Sequence, residues 1–146
     1  MKVKMSYVND NTYSVENSTK NNILIDMCDP DKKKHHSPME LILSAVTSCA
    51  AVEIVSMIKK RKRDFKNIFA ETIGGRVDQP PRYFKSIDIK YIIYSSDLKE
   101  SEADRFISLS LEKYCSVGAT INEKIVDVYH FFDPTLLDAE LTASQK

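Results

Sequence analysis

Glycine is scarce in this sequence, with three residues in the whole chain of 146. That leaves no glycine-rich loop to cradle a phosphate, and no His-Glu-x-x-His zinc signature is present. Net charge is also missing: 21 basic residues balance 21 acidic ones, so charge points to neither nucleic acid nor an anionic membrane as a partner. No run reaches the roughly 18 unbroken apolar residues of a membrane span. The first residues, Met1-Lys2-Val3-Lys4-Met5, lack the apolar core of a secretory signal, so a cytoplasmic protein is expected. Cysteine is sparse and unpatterned. Cys28, Cys49 and Cys115 form no C-x-x-C, and an odd count suits a reducing compartment better than a disulfide framework. Cys28 lies near His35 and His36, but the spacing fits no common zinc pattern and the stretch between is polar, so no metal and no bound cofactor are expected.

What is present reads as one α+β domain over residues 1–133 with a C-terminal tail, 134–146. Val3, Met5 and Tyr7 alternate with lysines and serine over 2–8. An extended pattern resumes over Thr12–Glu16, and Ile23, Ile25 and Met27 alternate in a third strand. Ser37-Pro38-Met39-Glu40 is a helix start, with a capping serine, proline in the first turn and a glutamate placed to close a capping box. The helix from there to about Lys60 is apolar or small on nearly every face, which predicts a buried helix. Its run Ser44–Ala51 is mostly small side chains, so another backbone can approach closely. Lys59 to Arg63 supplies positive charge where the helix dipole favours it. The same basic run read as a nucleic-acid patch is the weaker alternative.

Strands are expected over Ile68–Ile73, with a bend at Gly74-Gly75, and over Ser86–Ile93, separated by a turn at Asp78–Pro81. Ser101–Asp104 reads as a second capping signature. It would open a helix that turns Ala103, Phe106, Ile107, Ser110, Leu111 and Tyr114 inward, breaks near Cys115 and restarts briefly. A last strand spans Ile125–Phe132. The order is β-β-β-α-β-β-α-(α)-β.

Two thiols are the candidate chemistry. Cys49 is too deep in its helix to gain from the helix dipole and needs a donor or cation from elsewhere in the fold. Glu53 lies one turn further along the same face and would oppose ionisation unless itself paired. Cys115 would be served by the free amides of a helix restarting at Ser116. Taken alone, both thiols read rather as small core hydrophobes.

The local text decides further. Ser37-Pro38-Met39-Glu40-Leu41, the small-residue run holding Cys49, Pro81-Arg82-Tyr83-Phe84, and Glu112-Lys113-Tyr114-Cys115-Ser116-Val117 occur in that order. Together they resemble the OsmC/Ohr family of thiol peroxidases, most closely its YhfA-like branch. The resemblance implies an intertwined homodimer, with long Cys-bearing helices packed centrally against mixed or antiparallel sheets. It also implies that Cys49 is the peroxidatic thiol and Cys115 the resolving one. The substrate would be an organic hydroperoxide, and the reductant an external dithiol or lipoylated protein. The implied alternative is a catalytically incomplete relative that binds a small apolar ligand or senses oxidants. In the peroxidase branches a glutamate directly after the helix-start proline fixes an arginine beside the thiolate. Met39 holds that position here, Glu40 follows, and no arginine precedes Arg61. Glu40, Glu53 and Arg82 are therefore the possible supporting residues, with Lys4 or Lys20 standing in for the arginine without its planar fork.

Overall fold

The computed structural model describes residues 1–121 and, as backbone, the strand at 126–131. The elements are β1 (Val3–Asn9), β2 (Thr12–Asn17), β3 (Asn22–Asp26), α1 (Pro38–Lys60), β4 (Asn67–Arg76), β5 (Phe84–Tyr94), α2 (Glu100–Leu109), α3 (Ser116–Ile121) and β6 (Val126–Phe131). A π-helical turn, Ser110–Tyr114, joins α2 to the Cys115 break. The expected α+β order is thus observed. The residues flanking β6 in the expected last strand, Ile125 and Phe132, and the expected tail 134–146 lie outside the described residues. The chain divides into two compact units, Met1–Ile42 and Leu43–Lys146.

In the first unit β1-β2-β3 form an antiparallel meander. Direct pairing of Met5 with Val15 and of Val15 with Ile23 puts these residues on one face, since opposed residues share a side of the sheet. On that face Val3, Met5, Tyr7 and Ile23 are exposed, while Val15 is half-buried. Beyond β3 the loop is tied down by Asp26, whose carboxylate accepts the amides of Cys28 at 2.8 Å and Lys34 at 2.9 Å. Asp26 is buried, and these bonds, that of Lys34 first, hold its pKa down at about 2. The same carboxylate, by hydrogen bonding and then with burial, pushes the Cys28 thiol up. The helix start is the capping box its sequence predicts. Glu40 accepts from the Ser37 amide and hydroxyl, each at 2.7 Å, and Ser37 Oγ accepts from the Glu40 amide at 3.4 Å.

In the second unit β4 pairs antiparallel with β5, and β5 pairs parallel with β6, so the sheet is mixed. The alternation of β5 is realised, with Ile87, Ile89, Tyr91 and Ile93 buried. Fully burying each such isoleucine contributes about 1.5–3 kcal/mol. The register shift falls between Gly75 and Arg76, at the end of the expected bend. Gly74 has a separate reason: a Cβ there would run into the Phe84 ring and crowd Leu43 Cδ2.

Three expectations are corrected. First, α1 is not buried all round. Val46, Ala50, Ile54 and Ile58 are fully buried, one stripe at i, i+4 spacing, while Val52 is 67% exposed. One chain covers one stripe of a helix whose most apolar 18-residue stretch has a mean hydropathy of 2.0. Second, Ser101 does not cap α2. Lys99 occupies the N-cap position, its carbonyl already accepting from the amides of Glu102 and Ala103. The turn ahead of it is fixed by Ser95 Oγ, which accepts from the Leu98 amide, and Glu102 is drawn instead to Arg63 at 2.7 Å. Third, Tyr114 points outward, 53% exposed, although Ala103, Phe106, Ile107 and Ser110 are buried as expected. The wider π turn shifts the angular phase of the residues that follow.

α1 ends in a Schellman arrangement. Arg63 N–H bonds the Ile58 carbonyl, Lys62 N–H bonds the Lys59 carbonyl, and Lys62 takes the left-handed position at φ 57° where glycine is usual. The basic run therefore closes the helix, with Lys59 over the Phe65 ring and Arg63 paired to Glu102.

Asp26 sets a pH dependence whose sign follows from its depressed pKa. Its ionised form stabilises the fold above the usual carboxylate pKa, and that contribution is lost as pH falls through about 2. Asp26→Asn is expected to lower Tm by a few degrees near neutrality, with the gap to the parent closing between about pH 4 and pH 2. Thermal unfolding followed across pH checks this; a gap that stays constant down to pH 2 contradicts it.

Candidate functional site

The site grows from one turn of α1. A helix carbonyl normally serves only its own helix, yet two consecutive carbonyls here carry a second bond each. Cys115 Sγ donates to the Val46 carbonyl at 3.9 Å, and Tyr91 Oη donates to the Thr47 carbonyl at 2.7 Å. The Thr47 side chain adds a third fastening. Its hydroxyl donates to the Leu43 carbonyl and lies 2.6 Å from Thr72 Oγ1 on β4. Cys49 follows two residues later. Side chains of a helix lean toward its N-terminus, so the Cys49 thiol is carried back over this same turn.

Cys115 reaches the turn from the end of the π turn. The π turn ends with its amide bonded to the Ser110 carbonyl at 2.7 Å, and Cys115 then takes an extended backbone, φ −75° and ψ 94°. α3 restarts directly behind it, as expected from sequence. The sulfur occupies the position a capping serine would take and accepts the Gly118 amide at 3.2 Å. A Cβ at the buried Gly118 would lie in ordinary van der Waals contact with the sulfur, at 3.4 Å.

The electrostatics distinguish the two thiols. Cys115 is 2% exposed, and burial pushes its pKa up; the Gly118 amide opposes this, while the hydrogen bond and charge of Cys49 add to the rise. The Val117 amide is a weaker opposing influence. No cation stands among these groups. Cys49 is half-buried and so the more accessible of the two. Tyr91 is raised beyond an ordinary phenol, chiefly by burial and then by the negative charge that either thiol would carry. Cys49, Cys115 and Tyr91 thus form one cluster.

The other sequence candidates are engaged elsewhere. Glu40 holds the Ser37 cap and Lys33, at 3.2 Å, and these bonds, those of Ser37 foremost, keep its pKa down at about 2. Glu53 is half-buried and makes no ion pair among the described residues. Arg82 sits in the β4–β5 turn, where its Nε donates to the Val77 carbonyl and its own carbonyl accepts from Arg76. Lys20 pairs with Glu16 at 3.0 Å. Among the described residues no three His, Cys, Asp or Glu side chains gather as a metal-ligand set. Tyr91, Thr47 and Gly118 were not singled out by sequence reasoning. The usable signal for Tyr91 was a polar tip in a buried row of isoleucines, and for Gly118 a glycine three residues after a cysteine.

Four similarities to known proteins bear on this arrangement. The chain is 33% identical over 133 residues to Protein YhfA of Escherichia coli, covering 91% of this chain and 97% of that protein. Its fold is similar to that of an OsmC-like protein from Mycoplasma pneumoniae, with a TM-score of 0.75 at 17% identity over 90% of this chain and 94% of the other. It is similar in fold, too, to the organic hydroperoxide resistance protein OhrB of Bacillus subtilis, with a TM-score of 0.61 at 12% identity, covering 91% of this chain and 98% of that one. The family model described as OsmC-like protein matches residues 31–129, and with that match and the YhfA identity the chain belongs to the OsmC-like protein family.

Proposed function

We propose that this chain is a thiol redox protein that reduces organic hydroperoxides through Cys49 and Cys115. The observation that carries the reading is the convergence of the two thiols on one fastened turn, one half-buried and one buried with its ionisation opposed. In the reaction, the Cys49 thiolate attacks the terminal oxygen of the hydroperoxide. The O–O bond breaks, and the departing alkoxide takes a proton to leave as the alcohol. Cys49 is then a sulfenic acid. Cys115 attacks the sulfenic sulfur, the S–O bond breaks, water leaves and a disulfide forms. An external dithiol, small or lipoylated, reopens it by two exchange steps and is itself oxidised to a disulfide. The buried resolving thiol suits this order, because the first attack falls to the accessible sulfur.

The reading includes a homodimer. Val52 on α1 and, on the β1–β3 sheet, Val3, Met5, Tyr7 and Ile23 are large apolar side chains left exposed, and clustered exposed apolar residues mark interaction surfaces. A second copy of the chain is the proposed cover. Light scattering is expected to return twice the chain mass at micromolar concentration, and a monomer at that concentration contradicts it.

A second reading, a relative without peroxidase turnover that senses oxidants or binds an apolar ligand, is favoured by one observation. No cation stands among the groups that shift Cys115, and Glu40 and Arg82 are bonded in their own turns. Turnover separates the two. With an alkyl hydroperoxide and excess dithiol, the parent is expected to turn over, and Cys49→Ser to lose at least a hundredfold while keeping its assembly. A parent that consumes no hydroperoxide supports the second reading.

A further inference from the structure

We propose that Tyr91 is a positioning residue for the thiol pair: its hydroxyl, held on the Thr47 carbonyl, fixes the turn of α1 from which Cys49 meets Cys115. The inference rests on the thiol-redox reading and adds a residue to it. Tyr91 is fully buried in a row otherwise made of Ile87, Ile89 and Ile93. Packing alone would be served by phenylalanine, and a buried phenol is tolerated only where its O–H finds a partner. The partner it finds is a carbonyl inside α1, at 2.7 Å, not a carbonyl of its own sheet. That bond does nothing for the helix's own hydrogen-bond pattern, but it fastens α1 to β5 at one height along its axis.

The height matters because of what else meets there. Val46, whose carbonyl receives the Cys115 sulfur, precedes Thr47, and Cys49 follows two positions later. A helix free to slide or rotate by a fraction of a turn on an apolar face would carry Cys49 past Cys115, since apolar contacts are not directional. The Tyr91 bond and the Thr47–Thr72 hydroxyl contact at 2.6 Å are directional, and both act on the same residue. Two thiols held in register form a disulfide with a higher effective concentration than two thiols that only share a neighbourhood.

Equilibration of the protein with mixtures of reduced and oxidised glutathione measures that effective concentration directly, by acid quenching, alkylation and mass determination of the Cys49–Cys115 disulfide. Tyr91→Phe keeps the ring and removes the bond; it is expected to lower the effective concentration about tenfold. Thr72→Val, which removes the second fastening and leaves the core aromatic in place, is expected to lower it about threefold and keeps the inference testable if Tyr91→Phe does not fold. Thermal unfolding of each variant separates the roles. A lower Tm with an unchanged disulfide equilibrium makes Tyr91 a core residue only and overturns the inference. A parent that forms no disulfide at any glutathione ratio overturns the thiol-redox reading itself, and this inference with it.

Discussion

A thiol in the middle of a helix receives no help from that helix. Its amides are bonded and its dipole acts at its ends. Everything asked of Cys49 therefore depends on what the rest of the fold brings to the turn around Val46 and Thr47. It brings three things: a second sulfur, a phenol and a threonine hydroxyl, delivered from the π turn's end, from β5 and from β4. Each uses a backbone or hydroxyl group of α1 as its anchor. The site is thus a property of how α1 lies on its sheet, and the Ile54 and Ile58 stripe supplies the burial that holds it there.

The π turn and the α3 restart are the complementary half. By widening one turn before Cys115, the chain releases that residue from helix geometry, so that its sulfur can face α1 and also serve as the N-cap of α3. A continuous α-helix through 110–121 would give the sulfur neither role. Among the described residues, the groups bonded to this turn and to the Cys115 sulfur are backbone amides and carbonyls, a threonine hydroxyl and a phenol.

Much of this was legible in the sequence where a single short-range rule governs. The capping box at Ser37 and Glu40, the period-two rows of β1 and β5, and the break near Cys115 are local patterns, and each is realised. The misses are where two patterns compete. Ser101 carries a capping signature, but the Ser95 turn starts α2 earlier and Arg63 takes Glu102 away. Tyr114 continues the inward period of α2, but the π turn changes the period. The apolar faces of α1 predict burial without saying what buries them, and one chain covers a single stripe. For the candidate site, the two cysteines proposed to act stand out in the sequence through the ordered text around them. The Tyr91 bond joins residues 44 apart in the chain to a backbone atom, and no residue pattern encodes a carbonyl as a partner.

The central claim is that Cys49 and Cys115 act as one redox unit. It is tested most directly by giving the fully reduced protein one equivalent of an alkyl hydroperoxide, trapping free thiols with an alkylating reagent and mapping the peptides by mass spectrometry. The account predicts that the peptides bearing Cys49 and Cys115 are recovered linked, with Cys28 alkylated. Recovery of both cysteines as free, alkylated thiols, or of Cys49 oxidised to sulfinic acid with Cys115 untouched, would contradict it.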